Sequence, residues 1–179
     1  MVLRLDTRPP ALTGLSFAPA GRGRLQEVRA LQIAAFRLIS RHVYDDVEAA
    51  AYERYIASPE HADRQMLHQV ETALVGDQIV GTAGWIEATN EARSARLTDL
   101  FVTPLFMRMG IGRVLAARAE RRALDAGFGL MTARSASPVT GFLSRAGYTE
   151  SGRGTFSPSP GTDLPVIFMR KSLAHAAAA

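Results

Sequence analysis

Cysteine is absent from this 179-residue chain, which removes disulfides, Cys-ligated zinc, iron–sulfur clusters and any thiolate nucleophile. Histidine is scarce. His42, His61, His68 and His175 form neither an HExxH pair nor a tight cluster, so no metal site is expected. No apolar run reaches the roughly 18 residues of a membrane span, and no membrane partner is expected. The amino terminus sets Arg4, Asp6 and Arg8 where a secretory signal would need an apolar stretch; the expected compartment is therefore the cytoplasm. Lysine is nearly missing as well, since all the basic residues but Lys171 are arginine.

What is present is ordinary globular material, 47% hydrophobic and 21% charged, which excludes disorder over most of the chain. At roughly 100–200 residues per domain this length points to one domain over residues 1–179, with loose ends at about 1–13 and 174–179. The net charge of +4 is unevenly spread: residues 1–41 carry +5, residues 42–92 carry −8 and residues 93–179 carry +7. Such a chain could hold an anionic ligand at one end and a cationic one at the other, although a normally solvated surface is the plainer reading of the pattern.

Periodicity supplies a mixed α/β fold. Leu15 to Pro19 alternates like a short strand, and Leu25 to Ile39 has an apolar face at helical spacing. A second helix fits Asp45 to Ile56, with an acidic first turn, and Ser58-Pro59 ends it. Two strands, His68–Val75 and Ile79–Glu87, flank the hairpin signal Gly76-Asp77. After the polar loop Asn90-Glu91-Ala92 comes a strand at Ala95–Val102, then a helix over Gly110–Ala126 that Gly127 stops. A strand at Phe128–Ser135, a short helix at Pro138–Ala146 and strands at Tyr148–Gly152 and Val166–Arg170 follow, with Ser157 to Gly161 as a long turn. The expected order is β-α-α-β-β-β-α-β-α-β-β.

One stretch carries chemistry. A strand ends in Asp99-Leu100-Phe101-Val102-Thr103-Pro104, and Met109-Gly110-Ile111-Gly112-Arg113 opens a helix. Glycines there let the backbone turn tightly and bring bare amides to an anion. The helix N-terminus adds about half a positive charge, which suits a phosphate or pyrophosphate. Arg108 and Arg113 flank the loop and could add charge-assisted bonds. Other phosphate motifs fail: a P-loop needs Lys-Ser/Thr where Arg113-Val114 stands, and a dinucleotide fold needs glycine where Leu115 stands.

Residues 95–148 resemble the core of the GCN5-related N-acetyltransferases (GNAT). The matching features are Phe101-Val102-Thr103-Pro104, a gap of five residues, Gly110-Ile111-Gly112, a helix, a strand, and then Phe142 to Gly147-Tyr148. The resemblance implies a GNAT-like α/β fold and an acetyl-CoA-dependent N-acetyltransferase without a metal. It implies that amides from Met109 to Arg113 hold the pyrophosphate of acetyl-CoA, and that Phe101 and Val102 pair their backbone with its pantetheine arm. An amide there would polarise the thioester carbonyl, an oxyanion-type role. Ser135 or Ser137 sits near where the family often contacts the cofactor. Two positions depart from the pattern. Met107 replaces the usual Arg or Gln three residues before the first glycine, and Leu143 stands where a tyrosine commonly protonates the leaving thiolate. Ser144, Ser137 or water would then serve, or the step needs no protein acid.

The attacking amine must lose a proton to a carboxylate or a water held by one. Asp99, in the strand that carries the carbonyl contact, is the first candidate base, with Glu71 and Glu87 on neighbouring strands as alternatives. By strand alternation Thr98 faces away from Asp99, and His68 reads as a strand-edge polar residue. Tyr52 and Tyr55, on a helix with Asp45, Asp46, Glu48 and Glu53, lie where the family walls its acceptor pocket, so a cationic amine would suit them. Trp85 is a further substrate candidate, although core is its plainer reading. The expected partners are acetyl-CoA and an amine, and a homodimer stays open. Two other classes remain: a GNAT-like acyl-CoA sensor without turnover, for which the absent tyrosine speaks, and a nucleic-acid binder, suggested by a pI near 10.1 but opposed by the dispersed arginines.

Overall fold

The computed structural model describes residues 14–67, 69–89 and 92–173. The termini expected to be loose, His68 and the tip of the polar loop at Asn90-Glu91 lie outside the described residues.

The chain runs β1 (Leu15–Pro19), α1 (Leu25–Ser40), α2 (Asp46–Ala57), α3 (Pro59–Leu67), β2 (Glu71–Val75), β3 (Gln78–Glu87), β4 (Ser94–Val102), α4 (Ile111–Asp125), β5 (Leu130–Ser135), α5 (Ser137–Arg145), β6 (Thr149–Ser159) and β7 (Thr162–Ser172), with short 3₁₀ turns at Arg22–Arg24 and Pro104–Phe106. The strands form one sheet in the order β1-β2-β3-β4-β5-β7-β6. Its pairs are antiparallel except for β4 and β5, which are parallel and joined by α4. The mixed α/β class read from the sequence is the class of the molecule.

Two expectations need correction. Ser58-Pro59 does end α2, but Pro59 also opens α3, because proline suits the first turn of a helix, where its missing N–H has no intrahelical partner. The stretch Ser157 to Gly161 is not a long turn. β6 continues to Ser159 and pairs Phe156 with Leu164, so the turn shrinks to Pro160-Gly161. Both corrections add wall to the cavity described below.

The packing follows from the apolar stripes. The α4 stripe of Ile111, Leu115, Ala116, Ala119 and Ala123 joins Ala83, Trp85, Leu97, Met131 and Met169 of the sheet in the main core. A β-carbon at Gly81 would lie 2.8 Å from Leu115 Cδ1 and 3.1 Å from the Phe101 carbonyl oxygen; only glycine lets α4 press this closely on β3. A smaller cluster of Val28, Leu31 and Ile79, with Phe101 against it, seats α1 on the sheet. The α2 N-terminus is closed by a capping box: Asp45 accepts from the Glu48 amide at 2.8 Å, and Glu48 accepts from the Asp45 amide at 3.0 Å. Such caps contribute about 1 kcal/mol.

All four tyrosines, Tyr44, Tyr52, Tyr55 and Tyr148, are buried enough that desolvation pushes their phenols above the usual value. A group whose pKa is raised by folding stabilises the fold below its unfolded value, about 10 for tyrosine, and loses that contribution as the pH climbs through the folded value. Phenolate absorbance should therefore stay low at pH 10 while the circular dichroism is native, and should then rise together with alkaline unfolding. A smooth titration centred near pH 10 in folded protein would contradict this burial.

Candidate active site

Two breaks in the β-ladder build the site. The ladder between β4 and β5 covers only Ser94–Leu97 against Leu130–Ala133, although β4 runs on to Val102 and β5 to Ser135. Beyond Leu97 the two strands part. The second break is a bulge between β3 and β4: Gly84 pairs with Thr98 and Thr82 with Phe101, so two residues on β4 oppose one on β3. Asp99 takes up the extra length with φ 54°, a left-handed conformation that Asp tolerates better than most side chains. Thr82 Oγ1 donates to the Asp99 carbonyl at 2.6 Å and pins the bulge.

The bulge overturns the alternation expected for this strand. Thr98 and Asp99 both line one cavity of about 770 Å³, which opens between α1, α2, α3, the β4–β5 gap and the β6–β7 hairpin. A volume of this size suits a small-molecule site. The Asp99 side chain is 3% exposed. Its Oδ1 accepts from Gln65 Nε2 at 3.0 Å and from Gln32 Nε2 at 3.4 Å, while Gln65 Nε2 also reaches Gln32 Oε1 at 2.9 Å. His61 Nε2 lies 3.3 Å from the same oxygen. That approach is too far off line for a hydrogen bond, which leaves both imidazole nitrogens buried without a hydrogen-bond partner. Sequence reasoning missed Gln32, Gln65 and His61. Gln32 sits within an apolar helical stripe, and a polar residue there was the signal available. Gln65 and His61 belong to the helix that was not foreseen.

Aromatic side chains wall the rest. Tyr52 and Tyr55 line the cavity, as the sequence led one to expect, and Phe156 from the extended β6 meets Tyr55 edge-on with ring centroids 5.3 Å apart. Burial and the nearby Asp99 raise both phenols, so they stay protonated near neutral pH and can donate hydrogen bonds. The acids of α2 do not join them. Asp45 and Glu48 are spent on the cap, Asp46 is exposed, and Glu53 forms a two-bond pair with Arg37 at 2.8 and 2.7 Å. The acidic lining expected for a cationic amine is therefore replaced by Asp99 and Glu60, with Arg54, Arg64, Arg96 and Arg134 around them.

The remaining candidates scatter. Glu71 is held by Arg118 through bonds of 2.6 and 2.7 Å, away from the cavity. Glu87 is exposed at the end of β3, and Ser144 is exposed on α5; neither lines the cavity. Trp85 packs edge-on against Phe128 at 5.3 Å within the core, because its place opposite Leu97 turns it toward α4. These four do not sit where the roles considered for them require. Ser135 is buried at the cavity, but its hydroxyl donates to the Ala136 carbonyl at 2.9 Å. Ser137 starts α5 and is exposed. Leu143 lines the cavity at 3% exposure and has no proton to give.

The glycine loop fits an anion. Gly110 is the N-cap of α4 with φ 86°, and Arg108 before it has φ 65°. The amides of Ile111, Gly112 and Arg113 fall in the first turn, where no intrahelical acceptor exists. Arg108 and Arg113 are exposed beside them, and Met109 is partly buried. A β-carbon on Gly112 would meet Val102 and Phe142 at 3.5 Å, ordinary contact. Gly112 is thus close-packed between the end of β4 and α5, whereas Gly110 is required for its backbone.

The family model of the acetyltransferase (GNAT) domain matches residues 40–158. The chain belongs to the GNAT acetyltransferase family. Solved structures of the same fold agree along nearly the whole chain. A GCN5-related N-acetyltransferase from Rhodopseudomonas palustris is 19% identical with a TM-score of 0.79, covering 92% of this chain and 99% of that one. The PaiA N-acetyltransferase of Thermoplasma acidophilum, in complex with coenzyme A, is 15% identical with a TM-score of 0.71, covering 88% and 98%. YncA of Salmonella typhimurium, with its cofactor acetyl-CoA, is 18% identical with a TM-score of 0.63, covering 93% and 98%. No curated protein matches the sequence. Among the described residues no helix is long and apolar enough to cross a membrane, and no group of three or more metal-ligating side chains occurs.

The two glycines of the GNAT loop should separate on substitution. Gly110→Ala forces a β-carbon into a left-handed position, at a cost of about 1 kcal/mol or more, and should weaken CoA binding in calorimetry. Gly112→Ala should fold with a melting temperature within a few degrees of the parent. Equal CoA affinity for parent and folded Gly110→Ala would remove the loop from the binding site.

Proposed function

We propose that this GNAT protein transfers an acetyl group from acetyl-CoA to a primary amine by direct attack in a ternary complex. The observation that carries the reading is the single cavity that joins a buried carboxylate, Asp99, to the gap between β4 and β5. The α4 N-terminus, with Gly110, stands at the end of the same β4 segment. In this reading the first-turn amides of α4 bind pyrophosphate, and the backbone of Leu100 to Val102, beyond the β5 ladder, receives the extended thioester arm.

The amine nitrogen bonds to the thioester carbonyl carbon, the C–S bond breaks, and the nitrogen gives up a proton. Asp99 is the proposed acceptor of that proton, with Gln32 and Gln65 positioning its carboxylate. The sulfur leaves as a thiolate. A thiol of ordinary pKa, near 8.5, needs no strong acid to depart at neutral pH, which reconciles Leu143 with turnover. No cysteine is available for a covalent acetyl-enzyme. A catalytic carboxylate and the large cavity next to the arm favour an enzyme over a sensor.

Asp99→Asn tests the base. Asn also tolerates a left-handed backbone, so the fold should survive. Turnover, read as thiol release, should fall by about 10²–10⁴-fold with CoA affinity unchanged. The deficit should narrow at high pH, where more of the amine is already neutral. A folded variant with unaltered turnover at every pH would exclude Asp99. His61→Gln should cost less than Asp99→Asn, since the imidazole makes no hydrogen bond to the carboxylate.

A further inference from the structure

The acceptor side of the cavity holds positive charge that the protein does not neutralise. Arg96 on β4 and Arg134 on β5 lie along the two parallel strands just where these begin to part, and both line the cavity. Neither has an ion pair or a side-chain hydrogen bond among the described residues, whereas Arg24, Arg37, Arg118, Arg121 and Arg153 each hold a carboxylate. Arg134 leans over the Phe156 ring at 5.7 Å and Arg64 over Tyr55 at 5.1 Å. Burial and the neighbouring Arg134 charge both push the Arg96 guanidinium below its usual pKa, though a guanidinium remains charged at neutral pH. Arg96 is half-buried and Arg134 exposed at the cavity mouth, and two like charges side by side with no counter-charge attract an anion between them. The one acid buried in the same cavity, Asp99, is already surrounded by Gln32, Gln65 and His61.

We infer that Arg96 and Arg134 form an anion subsite, and that the acceptor is an aminocarboxylate: its carboxylate lies on the two guanidinium groups, its apolar body against Tyr55 and Phe156, and its amine toward Asp99. The subsite is independent of the reaction, but naming its occupant as the acceptor rests on the acetyl transfer proposed above. The arginines belong to the acceptor side rather than to the pyrophosphate. They sit on the strands at the start of the gap, while the helix N-terminus and the flanking Arg108 and Arg113 come after the end of β4. A planar guanidinium holds a carboxylate by two parallel bonds, and the aromatic wall suits a ring or a branched aliphatic chain.

The test compares α- and ω-aminocarboxylates of aromatic, aliphatic and acidic type with their own carboxamides, in thiol release from acetyl-CoA. Carboxylates should exceed carboxamides by at least about 10-fold in kcat/KM. A hydrogen bond to a charged group is commonly worth a factor of about 10–100, so Arg96→Gln and Arg134→Gln should each raise KM for carboxylates by about that much. Both should leave the CoA Kd unchanged and erase the preference over carboxamides. Arg96→Lys, which keeps the charge but not the fork, should fall between. Arg96→Gln should also melt no lower than the parent, because it removes a repulsion rather than a bond. Equal rates for carboxylates and carboxamides would overturn the subsite while leaving acetyl transfer in place, and so would a matching loss of CoA affinity in the arginine variants. If no amine releases thiol, calorimetry with the N-acetylated aminocarboxylates and their carboxamides decides. Binding that needs both the carboxylate and Arg96 keeps the subsite and rejects acetyl transfer, whereas absence of binding overturns the subsite too.

Discussion

The site proposed for this molecule depends on two parallel strands that stop pairing. Backbone N–H and C=O groups rarely remain buried and unpaired, so a ladder that ends at Leu97 and Ala133 while both strands continue invites another partner into the gap. An extended chain bearing amides is the natural one, for it can add to a strand edge as a peptide would. The connection between the strands adds a second condition. A parallel pair needs a crossover, and here the crossover is α4, whose N-terminus must start near the C-terminal end of β4. The gap and the N-terminus of α4 are therefore adjacent by topology.

The bulge at Asp99 is the second device, and it has a cost. A left-handed non-glycine residue is strained by about 1 kcal/mol or more, and burial of a carboxylate adds to that. The Thr82 hydroxyl on the Asp99 carbonyl, with the Gln32 and Gln65 amides on the carboxylate, offsets both. Bulges often re-aim a side chain next to an active site. Here the effect is to place Thr98 and Asp99 against one cavity, which strict alternation forbids.

Much of the frame was legible because local signals and tertiary structure agree. The Gly76-Asp77 hairpin, the α4 stripe and the glycine-opened helix are short-range patterns, and Phe101-Val102-Thr103-Pro104, Gly110-Ile111-Gly112 and Phe142 to Gly147-Tyr148 together carry the family resemblance. Asp99 stood out because a carboxylate in a buried strand is unusual, and the two tyrosines because the family resemblance puts their helix at the acceptor pocket. The rest depended on distance. Nothing in the sequence near Glu71 announces that Arg118, 47 residues on, will claim it, and nothing near Glu53 announces Arg37. Glu87 was misread for a simpler reason, since its side chain follows the pleat away from the cavity, whereas Trp85 lies in the core, the plainer of its two readings. The β6–β7 hairpin was cut short because two prolines, Pro158 and Pro160, read as a loop. β6 is an edge strand, where a proline is tolerated.

The chemistry proposed for the site is asymmetric in a way that the lining explains. On the side that the proposal gives to the sulfur stands Leu143, buried and unable to supply a proton; the proposed reaction tolerates this because a thiolate is a competent leaving group near neutrality. On the nitrogen side the demand is greater. A primary amine is mostly ammonium at neutral pH, and an ammonium has no lone pair with which to attack. The polar groups are accordingly concentrated there: Asp99, the two glutamines that hold it, and an imidazole 3.3 Å away. In the proposed reaction an apolar side chain by the thioester and a hydrogen-bonded carboxylate by the amine would form one arrangement, with protein groups placed where the reaction cannot proceed on solvent alone.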